Sequence, residues 1–315
     1  KTDVNDATWL SDLLAHGLIR ASMVPPTQFQ ELRDLTRTRT QLLAERSRHI
    51  RRIQKALEDA NVKLTNLMAN VMGVTGRALL EALVSGKRID ESFVDASRRG
   101  KLKSTTEQMM EALQGEVRPH HRFLLDLHIR QYDDLSRAVE AVESRIEKLM
   151  EPFHVELDLL KTIPGVKGAT AHTLLAEIGP DMSRFPSSAH LVSWAGLCPG
   201  HDESAGKRRS SGVRRGPRWL KTALVQAAWA AARKKDSYFR AQFHRLRARR
   251  GAKKAIVAVA ASILTSAFHM LSRQVAFHDL GGRHFDQHDR DRTAKRLIRR
   301  LKDLGLNIQI RSAAS

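Results

Sequence analysis

The sequence predicts a mainly α-helical protein: long antiparallel coiled-coil arms, a compact helical C-terminal domain entered by a hairpin-like turn, and a short terminal strand. Three observations lead there. From His120 to Leu160 the apolar residues, among them Leu124, Leu127, Leu135, Val139, Val142, Ile146 and Leu149, recur mostly at alternating spacings of three and four, the rhythm of a coiled-coil seam. A second long polar stretch, Gln28 to about Asn70, carries Leu32, Leu35, Leu42, Leu43, Ile50, Ile53 and Leu57 at helical spacing. Towards the C-terminus, Arg218–Ala232 and Ala255–Leu271 are rich in small and apolar residues, as helices that pack closely in a core are.

Taken in order, residues 1–17 read as the start of a helix with Trp9, Leu10, Leu13 and Leu14 as its apolar stripe. Asp3 and Asp6 lie three apart, on one face of a turn. Two carboxylates so placed repel, and a divalent cation would relieve them; equally, they would simply oppose the helix dipole. Gly17 and the pair Pro25-Pro26 close this segment. The two arms that follow bury the same stripe whether they pair with each other or across a dimer. Between them, residues 73–115 read as short helical pieces broken at Gly76, Gly86 and Gly100, a helical connection.

Ile163-Pro164-Gly165-Val166 is a sharp turn leading into a helix with Ala171, Leu174, Leu175 and Ile178. It resembles a helix-hairpin-helix, which offers backbone N–H groups to a nucleic-acid phosphate. Lys167 displaces the second glycine to Gly168, so Gly165, Val166, Lys167 and Gly168 either seat a phosphate or serve packing. Lys234–Arg250 reads as an exposed basic helix suited to tracking a phosphate backbone. The run Ala255–Leu271 is short for a membrane span and holds Ser262, Thr265, Ser266 and His269, so a buried core helix explains it better. The tail reads as loop, amphipathic helix over 293–304 and a strand over 306–310. Expected divisions are 1–27, 28–155, 156–275 and 276–315.

Among 315 residues, 54 Lys and Arg face 34 Asp and Glu, a formal charge of +20. Such an excess points to a polyanionic partner, nucleic acid before any membrane surface. The single cysteine, Cys198, excludes an intrachain disulfide and a thiolate zinc site, and fits a reducing cytoplasm. The charge gathers at Trp194–Leu220, WAGLCPGHDESAGKRRSSGVRRGPRWL, a glycine-rich loop in which Lys207, Arg208, Arg209, Arg214 and Arg215 follow Ser204. A hydroxyl amid guanidinium groups and flexible backbone suits phosphate chemistry; the plainer reading is a solvated basic loop.

Three blocks carry a resemblance. The first is Lys1-Thr2-Asp3-Val4-Asn5-Asp6-Ala7. The second runs from Ile163-Pro164-Gly165-Val166 through Leu174-Leu175-Ala176-Glu177-Ile178-Gly179 to Phe185 and Leu191. The third is Gly196-Leu197-Cys198-Pro199, Ser204-Ala205-Gly206-Lys207, Gly212, Gly216 and Leu220. In this order, with the helical arms between, they resemble DEDD-type insertion-sequence transposases, which have a RuvC-like N-terminal domain and a C-terminal domain holding a serine nucleophile. The resemblance implies that residues 1–27 are the C-terminal end of the RuvC-like domain, with Asp3 and Asp6 at the third and fourth acidic positions, holding Mg²⁺. It implies Ser204 as nucleophile on DNA, target choice through a structured guide RNA, and a place in the bacterial cytoplasm with the nucleoid; strand exchange needs at least two serines on two DNA partners, so a homodimer or homotetramer through the arms is expected. The first two acidic positions would precede Lys1, so the expectation is an N-terminally truncated relative. A nucleic-acid-binding protein that cuts no strand, or a nuclease working through metal alone, are the other readings.

Overall fold

The computed structural model describes residues 2–19, 24–100, 102–200, 202–204, 207–210, 212–285 and 290–305. It is mainly helical, and the chain forms two compact units: Asp34–Glu151, and Lys1–Arg33 with Pro152–Ser315.

The unit Asp34–Glu151 is built on two long helices, α1 being Asp3–Ala15 in the other unit: α2 (Thr27–Asp59) and α7 (Pro119–Met150). Between them come α3 (Leu64–Leu67), α4 (Val74–Ser85), α5 (Glu91–Ser97) and α6 (Thr106–Ala112). The end of α2 puts Ile53, Ala56, Leu57 and Ala60 on one stripe, which packs with Leu79, Leu80, Val94, Met109, Leu125 and Ile129 into one core. Residues 73–115 are therefore no mere connection. Local signals start the short helices: Asp90 accepts from the Phe93 N–H, and Thr105 and Gln108 form a capping box. Gly76 does not break a helix. It lies inside α4, where a side chain would meet the Val71 carbonyl.

α2 and α7 touch each other in antiparallel sense through polar and aromatic groups. The His49 and His128 rings lie 5.3 Å apart edge-on, and the Arg46 guanidinium lies 5.6 Å from the Tyr132 ring centre. Thr36 and Arg39 are buried, and Glu143 lies close enough to act on Arg39. Of the expected seam, Val139 and Ile146 are buried, whereas Leu124, Leu127, Leu135, Val142 and Leu149 are half-buried. Arg77 of α4 grips Asp133 of α7 with two bonds of 2.7 Å, and that carboxylate holds the guanidinium pKa above its ordinary value.

The other unit contains α1, the start of α2, and α8 (His154–Lys161), α9 (Gly168–Ile178), α10 (Ser188–Trp194), α11 (Arg218–Ala231), α12 (Tyr238–Arg250), α13 (Ala252–Arg273) and α14 (Arg290–Asp303). α13 is its centre, packed against α8, α10, α11 and α12. Val259, Ala260, Ile263, Leu264 and Ala267 are fully buried, each large side chain contributing about 1.5–3 kcal/mol. α13 is long and apolar enough to cross a membrane, yet half of its apolar window is buried inside the unit, as expected of a core helix. Ala227, Ala228 and Ala231 let α11 approach closely. Arg33 of α2 donates to the Ala176 carbonyl at 3.0 Å and pairs with the buried Glu177 carboxylate at 3.7 Å.

The stretch after α13 folds back onto α12. Phe277 stacks on Phe239, and the Asp279 carboxylate accepts from the N–H groups of Tyr238 (2.8 Å) and Gly281 (3.0 Å). The amphipathic helix of the tail begins at Arg290, three residues before the expected start. The expected strand over 306–310 lies outside the described residues.

Candidate functional site

The basic glycine-rich stretch is a β-hairpin rather than an irregular loop. β1 (Asp202–Ser204) pairs antiparallel with β2 (Lys207–Ser210), with Ser204 opposite Lys207 and Glu203 opposite Arg208. The ladder continues to the base: Gly200 N–H donates to the Gly212 carbonyl at 2.7 Å, Pro199 bridges Val213, and Arg214 N–H donates to the Cys198 carbonyl at 3.2 Å. There the two strands nearly touch. A Cβ on Gly216 would lie 2.6 Å from the Ala195 backbone, and Gly196, at φ +67°, lies just as tightly against Arg214 and Gly216. Only glycine lets the chain leave α10 and enter α11 through the same gap.

This geometry places Ser204 at the end of β1, with residues 205 and 206 outside the described set. Lys207, Arg208 and Arg209 follow on β2, and Arg214 and Arg215 are exposed at the base. One hairpin therefore gathers the serine and all five cations named with it. A hydroxyl and cations carried on one hairpin are groups of the kind that suit a phosphodiester and the charge that develops on it.

The turn at 163–166 is arranged differently. Ile163 and Val166 are buried, the Val166 N–H is taken by the Ile163 carbonyl at 3.0 Å, and Gly165 lies flat against α11. Its φ is +86°, and a Cβ there would sit 2.2 Å from the Ala227 carbonyl oxygen. Lys167 is exposed at the start of α9, with Gly168 as the first helical residue and open space where its Cβ would be.

Asp3 and Asp6 are exposed in the first turn of α1, a helix with no buried residue. Their oxygen donors are of the kind Mg²⁺ takes, but two carboxylates make an incomplete site. Among the described residues no group of three or more metal-ligating side chains comes together.

The sequence reading missed the Arg33–Glu177 anchor. Its signal was a lone acid inside the apolar run Leu174–Ile178, since a buried carboxylate demands a cation or hydrogen-bond donors. The His49–His128 contact was likewise invisible, because two histidines 79 positions apart carry no periodic signal.

Comparisons with known proteins bear on the same stretches. Residues 157–244, which include the whole hairpin, match the family described as Transposase IS116/IS110/IS902. Residues 1–62, which include Asp3 and Asp6, match a second family described as Transposase, of the DEDD IS110 type. The chain is 37% identical over 110 residues to an uncharacterized 43.6 kDa protein of insertion element IS110 from Streptomyces coelicolor, covering 35% of this chain and 26% of that protein. It is 28% identical over 196 residues to the pilin gene-inverting proteins of Moraxella lacunata and Moraxella bovis, covering 56% of this chain and 60% of each. The chain thus spans about a quarter of the first relative's length and 60% of the other two. Over these stretches the chain is similar to IS110-family transposases.

Proposed function

We propose that this chain cuts and rejoins DNA as an insertion-sequence transposase or recombinase, with Ser204 as nucleophile. The observation that carries the reading is Ser204 at the end of a basic hairpin pinned at its base, inside the stretch that matches a transposase family. Two relatives named for inverting a pilin gene support recombination as the outcome.

In the proposed step, Ser204 Oγ bonds to the phosphorus of a DNA phosphodiester, the hydroxyl proton leaves, and one strand oxygen departs to take up a proton. The product is a serine–phosphate ester, so the hydroxyl of another strand can reverse the bond without an external energy source. A serine hydroxyl is a weak nucleophile and needs activation. Lys207, Arg208, Arg209, Arg214 and Arg215 stabilise the charge of the five-coordinate phosphorus. A divalent cation, Mg²⁺ in this reading, would supply further polarisation of the phosphate or hydroxyl, with Asp3 and Asp6 contributing two of its carboxylates. Of the turn residues Gly165, Val166, Lys167 and Gly168, the first two serve packing, and the exposed Lys167 at the start of α9 adds a contact to a DNA phosphate. Target choice through a structured guide RNA, assembly as a homodimer or homotetramer, and residence in the bacterial cytoplasm belong to the same proposal.

The test is a denaturing gel for protein–DNA adducts. Ser204→Ala is expected to abolish adducts while changing DNA affinity less than about twofold. Adducts that persist in Ser204→Ala refute the assignment; wild-type protein that binds DNA and forms none favours a non-catalytic binder.

A further inference from the structure

A second place in the same unit is shaped for phosphate and is not part of the hairpin. Where the stretch after α13 folds back over the start of α12, a cavity of about 370 Å³ opens, lined by Lys235, Asp236, Ser237, Arg240, Ala241, His244, Gly282 and Arg283. Ser237, Arg240, Ala241 and His244 follow the i, i+3, i+4, i+7 spacing of one helical face, so α12 forms a wall. Gly282 and Arg283 form the facing wall.

The wall is held rigidly. The Asp279 carboxylate ties Tyr238 N–H, Gly281 N–H and, at 3.5 Å, Lys234 Nζ. Gly282 N–H donates to the Asp236 carbonyl at 3.1 Å, and Phe285 stacks on Tyr238 with ring centres 5.0 Å apart. Asp236 itself adopts φ +51°, uncommon for a residue with a side chain, which turns the chain sharply into α12. Asp279 also spends its charge on Lys234, outside the lining.

Among the described residues the charge that remains is unbalanced. Lys235, Arg240 and Arg283 face a single carboxylate, the exposed Asp236, and none of the three forms an ion pair with a carboxylate among the described residues. Arg247, Arg249 and Arg250 extend the same charge to the end of α12. Cations gathered around a preformed cavity and continued along one helix match a linear polyanion better than a small isolated anion.

We infer that this cavity seats a backbone phosphate of a DNA strand, which then runs along α12. The inference rests on the reading of the chain as acting on DNA and adds a second contact, separate from the Ser204 hairpin. The experiment measures binding of the full chain to a fluorescein-labelled 20-base-pair DNA duplex by anisotropy, from 0.05 to 0.5 M NaCl. Variants are Arg240→Ala/Arg283→Ala and the charge-keeping Arg240→Lys/Arg283→Lys, with thermal melts to confirm folding. Each phosphate contact contributes roughly 0.9 to the slope of log affinity against log salt, so losing the one seated in the cavity lowers the slope by about 1 and weakens binding about fivefold at 0.15 M. The lysine pair is expected to restore most of the affinity.

Unchanged affinity and slope in the alanine pair overturn the inference. So does a loss confined to an RNA duplex of the same length, which would assign the cavity to RNA. The adduct assay separates this from the function proposed above: normal DNA affinity in the alanine pair, with adducts still dependent on Ser204, sinks the cavity and leaves the nucleophile standing. Wild-type protein that binds no DNA sinks both.

Discussion

Gly165→Ala tests how the turn at 163–166 works, and its cost follows from two separate penalties. An alanine at φ +86° enters a region that costs about 1–3 kcal/mol for a residue with a Cβ. That Cβ would also lie 2.2 Å from the Ala227 carbonyl oxygen and 2.8 Å from the Ala231 nitrogen. Both are backbone atoms of a packed helix and cannot swing aside, so overpacking adds about 1–3 kcal/mol. The sum, about 4 kcal/mol, is a large share of the 5–15 kcal/mol that typically holds a domain folded. Tryptophan fluorescence reads the right unit, because Trp9, Trp194, Trp219 and Trp229 all lie in Lys1–Arg33 or Pro152–Ser315. With a slope of about 2 kcal/mol per molar urea, the midpoint should fall by about 2 M. Gly168→Ala is the control: nothing lies within 4 Å of its Cβ position, and its midpoint should move by less than about 0.3 M. A Gly165→Ala midpoint as little changed as that of the control would refute the packing argument.

Gly216→Ala should displace the hairpin without removing a charge, since its Cβ would press within 2.6 Å of Ala195 and Gly196. Adduct formation is expected to fall at least tenfold while DNA affinity changes less than threefold; unaltered adduct yield would mean that the hairpin base does not position Ser204. The unit Asp34–Glu151 should lose stability in acid. Burial first, then Arg52 and Arg48, push the His49 pKa below its ordinary value; for His128 the causes are burial, then His49 and Arg52, while Glu45 pulls His49 the other way. A depressed histidine leaves the unfolded chain binding more protons, so this contribution is whole above about pH 6.5 and is lost as pH falls through 6.5 towards the lower folded values. Hydrogen exchange of α7 amides between pH 7.5 and 5 should show the loss, and His128→Phe should flatten it; an equally steep profile in that variant would place the titration elsewhere.

What was legible in the sequence was whatever repeats. The apolar residues of α7 and α13 announce helices because burial needs a stripe, and a stripe has a period. The contact of α2 with α7 was not legible, because Arg46, His49, His128 and Tyr132 are polar residues that apolar periodicity does not count. The hairpin was missed for a related reason. Its strands hold Asp, Glu, Ser, Lys and Arg, which carry little β-propensity, and the ladder is fixed instead by backbone bonds continuing from a crossing of two glycines. Glycine itself read ambiguously. Gly76 reads as a break between helical pieces yet lies within α4, and Gly216, one of the glycines of the basic stretch, lies where backbone approaches backbone. Which of these a glycine does depends on a partner remote in sequence.

That distinction bears on chemistry. A serine in a freely moving basic loop would reach a phosphate often but rarely in line for displacement, and electrostatic attraction alone would not correct its angle. Effective attack requires the reacting atoms to be held near 3–3.5 Å in a fixed direction. If Ser204 is the nucleophile proposed above, a ladder running from Cys198 and Arg214 at the base to the pair Ser204 and Lys207 would supply that constraint through backbone bonds. The cations then need only bring and hold the strand. The contact proposed beside α12 would extend the same division, gripping DNA away from the serine, so that affinity and alignment would rest on different residues and could be lost separately.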